Sequence, residues 1–272
     1  SMRSRVATLP MHTRRTQASR LKARPELSAV LSCLLSLTST RVLSCSEDLL
    51  MPMIRHTYQY DTLGPAEMER WRQIPAAVAG DCLNRTNCMA GAVKPLSPEM
   101  RLTGHARTLR TMVGDNGPVH AGIPLMEAGE IIVIATGGYS DTAIIGGILT
   151  TAAKHKGVAG FVLDGPVRDV TELKEMGLPV FCAGAVPAGP HKGFGGEIDG
   201  PIACGGVVVR PGDVILGDED GVTVVPLERA ADTLLQAEAL LAKEASTLEA
   251  LAEGKTTAEM LGIAIPGPGE TV

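Results

Sequence analysis

Apolar residues are densest between positions 131 and 163, where they fall into unbroken runs. Ile131-Ile132-Val133-Ile134-Ala135 and Val158-Ala159-Gly160-Phe161-Val162-Leu163 have no polar alternation, the pattern of strands covered on both faces. Between them, Ile144, Ile145, Ile148 and Leu149 stand at helical spacing and predict a helix over 142–155, closed by Gly157. A strand, a helix and a second strand in this order imply parallel pairing through a right-handed crossover. A short helix over 170–176 and a strand over 178–181 continue the unit. Upstream, 102–110 alternates like a half-exposed strand, while 65–72, with Pro65 in its first turn, and 74–83 read as short helices. Asp115-Asn116-Gly117-Pro118 has the chemistry of a loop, and 123–128 that of a helical turn ended by Gly129.

The last third changes character. Three short strands, 206–209, 213–216 and 221–225, are separated by Gly, Pro and Asp turns, as in hairpins. A long amphipathic helix then runs over 227–251, with Leu234, Leu235, Ala237, Leu241, Ala245 and Leu248 as its apolar stripe. No internal repeat is visible, and no linker follows residue 53, so one α/β domain is expected over 53–272. Residues 1–52 form a basic, Ser- and Leu-rich extension, expected to be poorly ordered. Arg3, Arg5, Arg14, Arg15, Arg20, Lys22 and Arg24 precede its first acid, Glu26. A transit peptide has this composition, but an untargeted extension ahead of a start at Met51 or Met53 is the simpler reading.

Composition adds limits rather than a function. Apolar residues make up 44% of the 272 positions and aromatics 3%, so the core is aliphatic. The net charge of −5 gives no general attraction to nucleic acid or to an anionic membrane. No run approaches the ~18 apolar residues that span a bilayer. Cys33, Cys45, Cys82, Cys88, Cys182 and Cys204 include no CxxC pair and read as reduced thiols of a cytoplasmic protein.

The chemistry is concentrated between Gly147 and Glu172. Gly137-Gly138 and Gly146-Gly147 are turns that feed a helix, and free N–H groups there suit an anion; simple turn chemistry is the alternative. Arg168 and Asp169 follow the second buried strand, at the strand end where open α/β sheets hold ligands. Arg168 has the fork to clamp a carboxylate. Asp169 and Glu172, three apart, share a helix face and suit Mg²⁺ or Mn²⁺ with retained waters; carboxylates that balance a helix dipole read the same way. The loop at His191-Lys192 also has the composition to face a ligand. No GxGxxG, GxxxxGK[ST] or GxSxG occurs.

Gly147-x20-Arg168-Asp169-x2-Glu172, with Asp164-Gly165, Gly205-Gly206-Val207-x-Val209-x-Pro211-Gly212-Asp213 and Gly217-Asp218-x-Asp220-Gly221-Val222, resembles the 4-hydroxy-4-methyl-2-oxoglutarate aldolase and ribonuclease-regulator A family, over about 75–226. The resemblance implies a single-domain α/β/β/α sandwich of the swivelling β/β/α type, assembled as a homotrimer or hexamer with interfacial sites. It implies a class II pyruvate aldolase with oxaloacetate decarboxylase activity, acting on a small keto acid. Asp169 is then a ligand of Mg²⁺ or Mn²⁺, and Arg168 contacts the pyruvoyl group. The turn at Gly146, Gly147, Ile148 and Leu149 holds the substrate carboxylate. Some members carry an aspartate where Gly147 stands, and Glu172 is expected to replace it through a metal-bound water. Glu244, from a neighbouring subunit, is the further expected ligand. The alternative that the family brings is a non-catalytic regulator binding a ribonuclease. A menaquinone methyltransferase name also attaches to such sequences, but no glycine fingerprint for S-adenosylmethionine is present.

Overall fold

A computed structural model of the protein describes residues 52–271. The expectations for 1–51, the extension with Cys33 and Cys45, lie outside the described residues. The strands are β1 (Met53–Arg55), β2 (Lys94–Pro95), β3 (Leu102–Thr111), β4 (Ile131–Ala135), β5 (Gly160–Leu163), β6 (Val180–Cys182), β7 (Gly196–Ile198), β8 (Ile202–Cys204), β9 (Val207–Val209), β10 (Val214–Asp218) and β11 (Gly221–Val225). The helices are α1 (Pro65–Trp71), α2 (Ala76–Cys82), α3 (Gly117–Gly122), α4 (Gly147–Lys156), α5 (Val170–Met176), α6 (Ala230–Ala252) and α7 (Thr257–Leu261).

The main sheet runs β1-β7-β3-β4-β5-β6-β2. β3, β4, β5 and β6 are parallel neighbours, as the strand–helix–strand pattern requires. β3 is the hinge of the architecture. Its first residues pair antiparallel with β10, through Val214↔His105, and its later ones pair with β4 and β7. With helices packed on one face and the second β layer on the other, it is buried almost throughout, Arg110 apart, rather than half-exposed, which corrects the expectation from its alternation.

Side-chain alternation sorts the core into three layers. Leu109, Ile132, Ile134, Phe161, Leu163 and Val180 point to one face of the sheet and pack with Val119, Leu149, Ala153 and Leu173 of α3, α4 and α5. Ala106, Ile131, Val133, Val162 and Phe181 point to the other face, against Ile202, Cys204, Val207, Val209, Ile215, Val222 and Val224. Val214, Leu216 and Val225 then turn outward onto Trp71, Ala79, Leu83, Leu234 and Ala237. Helices, sheet, second β layer and helices make a mixed α/β sandwich of four layers, with a long C-terminal helix.

Some boundaries differ from the sequence pattern. Gly117 and Pro118 of the expected loop open a helix, α3, because Pro118 is fixed for a first turn, while Asp115 and Asn116 stay outside it. α4 begins at Gly147, not near 142, because the backbone of Ile144 and Ile145 is spent on hydrogen bonds to residues 166 and 168. In α6 only Ala230, Thr233, Leu234 and Ala237 are buried, while Leu235 and Leu248 of the expected stripe are exposed. Among the described residues no helix is long and apolar enough to cross a membrane.

Candidate functional site

The loops leaving the carboxyl ends of β3, β4, β5 and β6 converge on one place, where ligands of parallel sheets are held. The loop after β5 is clamped on both sides like an extra strand. Ile144 N–H donates to Pro166 O at 2.9 Å and Arg168 N–H to Ile145 O at 3.1 Å. On the opposite side, Val167 N–H donates to Gly184 O and Val186 N–H to Val167 O, both at 3.0 Å. Arg168 and Asp169 thus leave a segment that has little freedom.

Asp169 precedes the first residue of α5 with φ 59° and ψ 38°, the left-handed region that non-glycine residues seldom occupy. Such strain persists only where the surroundings impose it, and it concentrates at functional sites. The conformation aims the Asp169 carboxylate at the head of α4, where its Oδ2 accepts the Gly147 N–H at 3.0 Å. Arg168 Nε stands 3.7 Å from the same carboxylate oxygen, with both side chains about two-fifths exposed at 43% and 42%.

Two glycines make room for this group. A Cβ added to Gly146 would stand 2.5 Å from Asp169 Oδ2 and 2.9 Å from Arg168 Cγ. A Cβ added to Gly147 would fall inside the carboxylate of Glu172. The two acids therefore lie side by side over consecutive residues at a helix N-terminus, and Glu172 fills the volume that a side chain at 147 would take. Gly146 offers no side-chain cap to α4, and the N–H groups of Ile148 and Leu149 are too near the helix start to reach an intrahelical carbonyl. Those donors and the helix dipole favour an anion.

Arg168, Asp169, Val170, Ala185, Val186 and Pro187 line a cleft of about 400 Å³. A smaller pocket of about 80 Å³ adjoins it across Arg168, lined also by Asn116, His120, Gly146, Ile148, Leu149 and Lys192. The structure so brings Gly146, Gly147, Ile148, Leu149, Arg168, Asp169 and Glu172 together in one place. Glu244 does not join them within one chain: it is exposed on α6, and among the described residues no three His, Cys, Asp or Glu side chains form a metal-binding group. Gly137 and Gly138 lie in the exposed loop ahead of Gly146, so the helix start comes from the second glycine pair alone.

Asn116 and His120 escaped the sequence reading because Asp-Asn-Gly-Pro looks like any turn. The only available signal was Pro118 in position to start a helix. The larger cavity, about 910 Å³ between residues 55–62 and the sheet, has its principal charges already paired. Arg107 forks onto Asp199 at 2.8 and 3.0 Å and onto Glu130 at 3.0 and 3.1 Å, while Tyr60 donates to Glu130 at 2.8 Å. That network ties the segment to β3. Burial pushes the Cys182 and Cys204 thiols up, which suits packing and not nucleophilic chemistry.

Known proteins resemble this chain in sequence and in fold. A Thermus thermophilus protein named 4-hydroxy-4-methyl-2-oxoglutarate aldolase is 38% identical over 133 residues, 49% of this chain and 80% of that protein. The crystal structure of Streptomyces coelicolor RraAS2, described as an unusual member of the RNase ES inhibitor RraA family, has a TM-score of 0.61 at 28% identity, covering 68% of this chain and 98% of that one. The structure of the RNA-processing inhibitor RraA from Thermus thermophilus has a TM-score of 0.51 at 33% identity, over 57% of this chain and 93% of that one. The RraA-like family model, Aldolase/RraA, matches residues 76–224, more than half of the sequence, and the chain belongs to that family.

Proposed function

We propose that the protein is a divalent-metal-dependent lyase that cleaves a 4-hydroxy-2-oxo acid of the 4-hydroxy-4-methyl-2-oxoglutarate type to pyruvate, and decarboxylates oxaloacetate in the same site. The observation that carries this reading is the Glu172 carboxylate standing in the space above Gly147, next to Asp169. The aldolase name of the Thermus relative supports it.

The donor set fits the metal. Two adjacent carboxylates are hard oxygen ligands, and Mg²⁺ or Mn²⁺ keeps several waters when held by so few protein groups. Asp169 would hold the ion directly, Glu172 through water, and Glu244 of a neighbouring copy in a homotrimer or hexamer would complete the set. When bound, the ion supplies Lewis acidity against the negative charge that develops on the 2-oxo oxygen. Arg168 adds a fixed positive charge beside that oxygen, and the contact gains value as charge builds up. The N–H groups heading α4 hold the substrate's carboxylate and orient the C3–C4 bond. Glu172, through an ordered water, takes the proton of the 4-hydroxyl as that bond breaks.

Decarboxylation of oxaloacetate leaves the same pyruvate enolate but has no hydroxyl proton to remove. The two reactions should therefore separate on Glu172. Glu172→Gln is expected to slow aldol cleavage about 100-fold and decarboxylation by less than about 10-fold, read as kcat for each. Equal losses would remove the base role from Glu172.

The descriptions of the Streptomyces and Thermus structures favour a second reading, a non-catalytic protein that binds a ribonuclease. Retention of Arg168, Asp169 and Glu172 favours the enzyme. A panel of 4-hydroxy-2-oxo acids and oxaloacetate with Mg²⁺, assayed for pyruvate, tests the proposal. Silence on every substrate, together with inhibition of a ribonuclease by the same preparation, would replace it by the regulator.

A further inference from the structure

Arg168 lies against glycine at the stem and at the tip of its side chain. A Cβ added to Gly146 would stand 2.9 Å from its Cγ and 3.2 Å from its Nε. A Cβ added to Gly189 would stand 2.6 Å from its Nη1 and 3.5 Å from its Cζ. Apart from the chain neighbours of Gly189, no other described atom comes within 4 Å of that position, so a methyl there meets Arg168 and nothing else.

Conformation does not explain this glycine. Gly184 and Gly195, in the same loop between β6 and β7, have φ of 144° and 73°, values that suit glycine. Gly189 is not among the residues of positive φ, and Pro190 after it favours an extended backbone that any residue adopts. The requirement at 189 is for space.

The loop cannot retreat to make that space elsewhere. On one side of Gly189, Ala188 O accepts the Ala143 N–H at 2.8 Å. On the other, His191 N–H donates to Gly114 O at 2.8 Å, and His191 O accepts the Asn116 N–H at 3.0 Å. Asp115, with 0% of its surface exposed, accepts N–H groups from Gly117 and Gly193 at 2.7 Å and from Phe194 at 3.1 Å, and so ties the loop to the head of α3. Arg168 in turn starts from a backbone N–H held by Ile145 O at 3.1 Å. Both backbones are anchored, and the part free to yield is the guanidinium.

We infer that Gly189 is a positioning residue, whose missing side chain sets where the Arg168 guanidinium stands and thereby its grip on the pyruvoyl group. The inference rests on the placement of that group at Arg168 proposed above. A bidentate contact depends on the direction of the fork as well as on its charge, so moving the fork by about an ångström costs binding although the cation remains.

The test crosses Gly189→Ala with Arg168→Lys. Lysine keeps the charge and has no Nη1 to meet the new methyl. Pyruvate binding is measured by calorimetry in Mg²⁺ for the wild type, both single variants and the double variant, and crystal structures of the wild type and Gly189→Ala locate the guanidinium. Gly189→Ala is expected to hold its thermal midpoint, to displace the guanidinium by about 1 Å, the shift that restores an ordinary contact, and to weaken pyruvate about 10-fold. In the Arg168→Lys background the same substitution is expected to change the affinity by less than about 2-fold, since a defect in the loop itself would persist there. Unchanged affinity in Gly189→Ala, equal weakening in both backgrounds, or a guanidinium that stays in place overturns the inference. A wild type that binds no pyruvate sinks the lyase reading, and the position of Arg168 in the Gly189→Ala crystal then decides by itself whether Gly189 places the guanidinium.

Discussion

Asp169→Asn is expected to cut pyruvate release by about a thousandfold or more, some 4 kcal/mol of transition-state stabilisation, with the fold preserved. Asparagine is the informative replacement. It tolerates the left-handed backbone that Asp169 occupies at φ 59°, and its side-chain oxygen still accepts the Gly147 N–H. What it removes is the negative charge that the ion requires. Calorimetric titration with Mn²⁺ should show the affinity falling alongside kcat. A variant that keeps its Mn²⁺ affinity while losing activity would assign Asp169 a role other than ligand.

Gly147→Ala should have the second-largest effect, about 100-fold on pyruvate release, through a residue with no side chain of its own. The added methyl occupies the volume of the Glu172 carboxylate, and that carboxylate, at the end of an exposed and flexible side chain, swings away at little cost in stability. The thermal midpoint should therefore hold. Gly147→Asp tests the same volume in reverse. It puts a carboxylate where the displaced one stood, so Gly147→Asp with Glu172→Ala is expected to return activity to within about 10-fold of the wild type. Full activity in Gly147→Ala would mean that the position of Glu172 over Gly147 has no part in the chemistry.

Much of this site was legible because it obeys local rules. The unbroken apolar runs at 131–135 and 160–163 have the pattern of covered strands, and their carboxyl ends fixed where Arg168 and Asp169 would emerge. Less legible were the features set by tertiary hydrogen bonds. Ile144 and Ile145 have helical spacing, yet their backbone pairs with residues 166–168, so the anion-binding helix start lies at Gly147. Asp115 and Asn116 look like turn residues, but burial makes one a clamp and the other an unpaired acceptor. β7 and β8 are short and rich in turn neighbours, and only their pairing with β3 and β9 makes them strands. The seat of Glu172 over Gly147 depends on how α4 and α5 meet, a contact that no periodicity encodes.

In the proposed lyase, Asp169 and Glu172 together hold an ion that the reaction needs. The most direct measurement is pyruvate release from 4-hydroxy-4-methyl-2-oxoglutarate by the purified protein, first in EDTA and then after excess Mg²⁺ or Mn²⁺. Release at the uncatalysed rate in EDTA, restored by the added ion, is the predicted result. Equal release in both conditions would mean that cleavage needs no ion, and none in either would mean that the protein is not this lyase.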